Sequence, residues 1–322
     1  MHMRKELADA FPPMPDALAK LLPVRDAKGN AVLKVGVLLT LYFRHGHDAG
    51  KRQAVLACVG DFLQMFGGEM KWGLLGVGQP TPVEQFAPDA TRQYLTSVDV
   101  EDPDGWQIYW HGDSPSDASD YGVQAFGKCR HDSEELEHLS YLTMHCPLHN
   151  GICGPAELLA LAMRWSERLQ PVQGYGGAGI IHAADRFVAA HGEVQEYALA
   201  QRYPTLEVDY PLKHALWTRA GIKGGNWLTV LSDIRLQQLE QTSGPLALTA
   251  AVFAHPYQGG TIIRAGDAPV IVDRNQGEDI PVAYRELARL LQPIRITVHP
   301  AVHSNGKFSR QAFEGWLARF DS

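Results

Sequence analysis

The run Val32–Phe43 constrains this chain most: Val32, Leu33, Val35, Val37, Leu38, Leu39, Leu41 and Phe43 crowd a stretch whose single charge is Lys34. So apolar and β-branched a segment predicts a well-buried strand. Behind it, Val55, Val59, Phe62 and Phe66 recur at three- and four-residue spacing. Asp48 is placed to cap that helix and Gly67-Gly68 to end it. A strand therefore feeds an amphipathic helix.

The remaining elements follow without a regular rhythm. Leu18, Leu21 and Leu22, behind the proline-rich "FPPMP", predict a short helix or arm within residues 1–30. Brief strands are expected at Trp106–Trp110, Gly122–Gly127 and Ser140–His145. Pro155 opens a helix that runs to Leu169 and is stopped by Pro171. "GYGGAGIIHAA" then reads as strand and Arg186–Arg202 as helix. Asn226–Leu231, Leu246–Phe253, Thr261–Ala265 and Ile294–Val298 read as strands, and Val282–Leu291 and Arg310–Phe320 as helices. Several strands succeed one another directly, so the expected class is α+β, with mixed or largely antiparallel sheets packed with amphipathic helices. Residues 31–322 then form the main body, with room for two lobes dividing near Pro171. The halves show no internal repeat.

A chain of 322 residues can bury a substantial core. It has no run of eighteen apolar residues, and Met1 to Phe11 lacks the long apolar stretch of a secretory signal. A cytoplasmic location is expected. Met1-His2 ahead of a second methionine resembles a cloning remnant. Four irregularly spaced cysteines, Cys58, Cys129, Cys146 and Cys153, suit a reducing compartment rather than a disulfide framework.

The net charge of −7 is concentrated: the window Asp99–Glu137 carries −9 and the rest of the chain +2. Two readings stay open, a solvated face or a patch that steers a basic partner. Nucleic acid is not an expected partner, because phosphate would be repelled. The same region holds Trp72, Trp106, Tyr109, Trp110, Tyr121 and Tyr141. Such aromatics form either core or the anchors of an interface. As a contact surface the segment offers Asp99, Glu101, Asp102 and Asp104 with Trp106, Tyr109, Trp110 and Tyr121.

Three constellations invite a catalytic reading. Cys129, His131, His138, His145, Cys146, His149 and Cys153 lie within 25 residues, which suggests zinc, with Cys146, His149 and Cys153 as the ligands to consider. No C-x-x-C pair supports it, and the adjacent His145 and Cys146 would point to opposite sides of a strand. "GYGGAGI" has the glycines of a phosphate loop without the strand before it or the helix opening within it. It reads better as a place where another backbone approaches closely. Asp267, Asp273, Glu278 and Asp279 cluster in sequence, yet within turn-forming runs. No cofactor and no enzymatic activity are expected.

Two dense C-terminal blocks remain, "GIKGGNWLTVLSD" at Gly221–Asp233 and Gly259–Arg295. Their polar residues fall in turns between apolar strands, so Gly224, Gly225, Asn226, Trp227, Gly266 and Gly277 read as a structural motif, with Trp227 in the core. With "ALAQRYPTLEVDYPL" at Ala198–Leu212 and the segment Val35–Gly68, these blocks resemble a bacterial family, the TsiV-like group, once classed as a domain of unknown function and now associated with type VI secretion immunity. The resemblance runs in order from Val35 to Arg295, is sharpest at Tyr203-Pro204, Ile222–Thr229 and Arg264–Arg295, and is not seen between Gly76 and Pro171. It implies an immunity domain over 31–322 that binds and neutralises a type VI nuclease effector of the VRR-NUC, restriction-endonuclease-like kind, with no membrane partner. The competing functions are a metal-dependent hydrolase built on the His/Cys cluster and a type VI effector adaptor or chaperone.

Overall fold

The computed structural model describes residues 10–304 and 307–321. The start of the N-terminal arm, including Met1-His2-Met3, lies outside them. Twelve strands join into one sheet: β1 (Val24–Arg25), β2 (Ala31–Phe43), β3 (Trp72–Leu75), β4 (Thr81–Pro82), β5 (Trp106–His111), β6 (Gly122–Gly127), β7 (Ser140–Cys146), β8 (Gln173–His182), β9 (Glu207–Val208), β10 (Leu228–Ser232), β11 (Val252–Tyr257) and β12 (Gly260–Ala265). The order is β11-β12-β10-β8-β2-β7-β6-β5-β3-β4, with β1 beside β2 and β9 beside β8. Every pairing of these strands is antiparallel except β8 with β9. The fold is α+β.

The apolar run of β2 is explained by its place in the middle, paired with β8 from Leu33 to Tyr42 and with β7 from Val37 to Phe43. Leu33, Val35, Val37, Leu39, Leu41 and Phe43 enter the main core, which also takes Val55, Val59, Phe62 and Phe66 from helix Ala49–Phe66 and Trp165 from helix Pro155–Leu169. Leu38 and Tyr42 join a second cluster with Tyr141, Tyr175, Ile181 and Ala215. A strand buried on both faces has no position left for alternating polar residues. The glycines of β8 serve this packing: a Cβ on Gly179 would lie 2.2 Å from Leu38 and one on Gly174 would lie 2.6 Å from Leu41. The glycine-rich stretch is a close strand contact.

Four expectations need correction. Asp48 stands at the N-cap of helix Ala49–Phe66 but its side chain makes no capping bond; it turns instead to His47, with 3.2 Å between Oδ1 and Nε2. The helix expected over Arg186–Arg202 is broken into Arg186–Ala189 and Glu193–Arg202 by a 3-10 turn. Gly192 sits there because any Cβ would meet the Leu33 side chain at 2.9 Å. The strand expected at Leu246–Phe253 lies at Val252–Tyr257, since its partner β12 ends at Ala265, where Gly266 turns the chain at φ +78°. Pro256 is tolerated because β11 is the sheet edge. Ile294–Val298 forms a single bridge, Ile222 to Arg295, because the partner chain turns away at Lys223–Asn226.

Candidate interaction surface and buried polar network

The acidic window spans β5, β6 and the short helix Arg130–Glu134, with its carboxylates mostly on the connecting loops. Part of its charge is compensated. Lys34 reaches Asp113 and Asp120 at 3.0 and 2.9 Å, Arg130 meets Glu101 at 3.1 Å, Lys128 meets Asp132 at 3.0 Å and Arg44 meets Glu137 at 3.5 Å. Among the described residues Asp99, Asp102 and Asp104 have no ion pair. Two of them shape their loop: Asp99 accepts from the Glu101 amide and Asp102 from the Asp104 amide, each at 3.0 Å. Local side-chain to backbone bonds of this kind leave the charge facing solvent.

The aromatics divide by position on the pleat. Trp106, 1% exposed, and Trp110, 5% exposed, face inward. The Trp106 indole donates to the Gly46 carbonyl at 2.9 Å, and Gly127 leaves it room, for a Cβ there would overlap the ring. Trp110 packs edge-on against Phe86, centroids 4.9 Å apart. Tyr109 and Tyr121 are half-buried, Tyr121 against Phe66. Outward the segment presents mainly carboxylates, with Arg130, His131 and Leu136 among them and Tyr109 and Tyr121 partly exposed.

Of the three residues weighed as zinc ligands, Cys146 and Cys153 are neighbours, and among the described residues His149 does not complete a metal-binding group with them. Cys146 and Cys153 are both buried, and the neighbouring Cys153 thiol together with burial pushes the Cys146 thiol well above its ordinary range. His149 is exposed. The C-terminal carboxylates do not converge either: Asp273 takes a bidentate pair from Arg202 at 2.8 and 2.7 Å, and Asp267 faces Arg264. Gly277 ends the turn Arg274–Gln276 at φ +72°, and Gly225 lies against Leu287. Trp227 is fully buried with Phe11 edge-on at 6.3 Å.

Sequence reasoning missed the densest polar feature. Lys223, 2% exposed, lies 2.5 Å from Glu207 and donates to the Val208 carbonyl at 2.8 Å. Glu207 also accepts from Asn226 at 2.6 Å and Arg319 at 3.0 Å. Beside it Asp209 accepts from Thr40 and Tyr175, both at 2.6 Å. Burial pushes the Asp209 carboxyl up, against the pull of Lys223, and it pushes the Lys223 ammonium down, against Glu207. A second knot centres on Glu196, which binds His182 at 2.8 Å, His303 at 2.7 Å and Tyr210 at 2.5 Å. Burial would raise that carboxyl, yet His182 and His303 hold it at about 2. The signal was present in "TLEVDY", where Glu207 and Asp209 alternate with apolar residues in and just after β9. Two cavities, of about 450 Å³ beside Trp217 and 560 Å³ beside Leu21, are lined by neither carboxylate nor histidine. The knots are internal struts, their carboxylates engaged by protein hydrogen-bond donors and, at Glu207 Oε1, by the Lys223 ammonium.

Comparison with known proteins gives the following. A family model described as TsiV, type VI immunity for VRR-NUC, matches residues 54–320. The solved structure of the Pseudomonas aeruginosa T6SS protein PA0821 is similar, with a TM-score of 0.79 at 24% identity over 90% of this chain and 83% of that one. Comparison with curated proteins yields no match.

Proposed function

Because this chain belongs to the TsiV family of type VI immunity proteins, we propose that it binds a VRR-NUC-type nuclease effector and blocks the surface with which that enzyme holds nucleic acid. The observation that carries this reading is the family match over residues 54–320. The acidic loops supply its physical side. A nuclease must present positive charge to phosphate, and loops rich in unpaired carboxylates are attracted to the same surface. Asp99, Glu101, Asp102 and Asp104 would steer the encounter, with Tyr109 and Tyr121 supplying contact area at short range. Inhibition on this reading is by occupation rather than catalysis, and it takes place in the cytoplasm, where nucleic acid is. The cavities beside Trp217 and Leu21 lack catalytic side chains, and the buried carboxylates are engaged within the fold.

The test is a plasmid-cleavage assay with the effector encoded beside this gene: equimolar protein should abolish cleavage. Neutralising the loop with Asp99→Asn, Glu101→Gln, Asp102→Asn and Asp104→Asn keeps the turn-forming oxygens. It should slow association about tenfold at low salt and flatten its salt dependence. Full inhibition with an unchanged association rate would move the contact to another face. No inhibition by the unaltered protein would overturn the immunity mechanism itself.

A further inference from the structure

The loop between β2 and the helix Ala49–Phe66 reads Arg44-His45-Gly46-His47-Asp48. Donor atoms of His45, His47 and Asp48 all lie within 4.8 Å of one another. His47 is 4% exposed, and its Nε2 stands 3.2 Å from Asp48 Oδ1 and also 3.2 Å from Glu134 Oε1, which arrives from the helix Arg130–Glu134. Its Nδ1 is buried without a hydrogen-bond partner, so both polar contacts of the ring converge on one atom. A single N–H cannot point at two carboxylates at once. Donors bound about 2.1 Å from a common ion, by contrast, stand about 3.0–3.4 Å apart. The loop is also held in place. His45 adopts φ +58°, Trp106 anchors the Gly46 carbonyl and Arg52 the His47 carbonyl, and Asp48 leaves its helix uncapped to face His47.

We propose that His45, His47 and Asp48 form a binding site for a divalent transition-metal ion, with Glu134, 3.2 Å from His47, drawn in as the fourth ligand and zinc the best match to this donor set. Three of the four side chains are exposed, which gives the ion a path in. Binding would clamp the acidic helix Arg130–Glu134 to the end of β2.

Calorimetric titration of the metal-stripped protein with zinc chloride, in a buffer that does not bind zinc, tests this. One equivalent should bind with micromolar or tighter affinity and raise the melting temperature. His45→Ala and Glu134→Gln, both at exposed positions, should each weaken binding at least tenfold while the zinc-free protein stays folded, its melting temperature lowered by no more than a few degrees. Amide exchange over residues 130–135 should slow on binding in the unaltered protein only. Absence of stoichiometric binding, or binding that neither substitution changes, overturns the site.

Discussion

Acidifying the protein from pH 6.5 to pH 4 is expected to remove most of its stability. Four histidines are folded into places where a proton is unwelcome. Among the described residues His111 has no hydrogen-bond partner on either ring nitrogen; it lies under the Trp72 ring at 4.9 Å and faces His145 at 5.5 Å. Burial depresses it from 6.5 to about 4. Burial likewise drives His145 and His214 well below the ordinary value and His299 to about 4. His214 and His299 share one hydrogen bond at 3.0 Å, so a second proton there brings two cations together.

The sign follows from proton counting. Below pH 6.5 the unfolded chain takes up protons that the folded chain refuses, so stability falls with pH, by about 1.4 kcal/mol per pH unit for each such histidine. His111 alone then accounts for about 3 kcal/mol by pH 4. His182, raised because Glu196 outweighs burial, contributes fully throughout this window and offsets none of the loss. Glu196, held at about 2, adds its own loss below pH 4.5. Against a usual total of about 5–15 kcal/mol, unfolding is expected before pH 4. Urea denaturation at unit steps from pH 7 to 4 measures it, and His111→Phe should lower the slope by about 1.4 kcal/mol per pH unit. A flat profile down to pH 4.5 would contradict the assignment.

Replacing Lys223 with methionine should cost about 3–5 kcal/mol. Methionine is close to lysine in length and can follow the same buried path above the Tyr175 ring, which the lysine Nζ approaches to 4.0 Å from the centroid. What is lost is the charge that keeps Glu207 and Asp209 compatible with burial. Removing one partner of a buried group leaves the other charge without compensation, and that is far more costly than a surface pair. Chemical denaturation at pH 7 reads the difference directly. A loss below about 1 kcal/mol would show that Arg319 and Asn226 suffice to hold Glu207.

Long apolar periodicity made much of this fold legible. β2, the helix Ala49–Phe66, the helix Pro155–Leu169 with its bounding prolines and the helix Val282–Leu291 all stand where their patterns predict. Local pattern failed where a distant partner decides. β11 is displaced to Val252–Tyr257 by the register of β12, and Ile294–Val298 stays a single bridge because its neighbour turns away. The helix Asp233–Ser243, with Arg235 and Leu239 its buried side chains, carries too few apolar positions to announce itself. The family was readable from turn strings and their order, yet the match also runs through Gly76–Pro171, where no string was recognised. The polar knots were hidden for a related reason. Lys223 sits in a glycine-rich string typical of an exposed turn, and only its tertiary neighbours, Glu207 and Tyr175, reveal it as internal.

The central position of β2 has a consequence in time. Its residues leave the ribosome before those of its long partners β7 and β8, which end at Cys146 and His182. At a synthesis rate of about 5–20 residues per second, β2 waits roughly ten to thirty seconds for both partners. Pairings so distant in sequence also close slowly once the chain is complete. A chain still in synthesis therefore lacks the centre of its sheet until β8 has emerged, so immunity at any moment rests on molecules already finished.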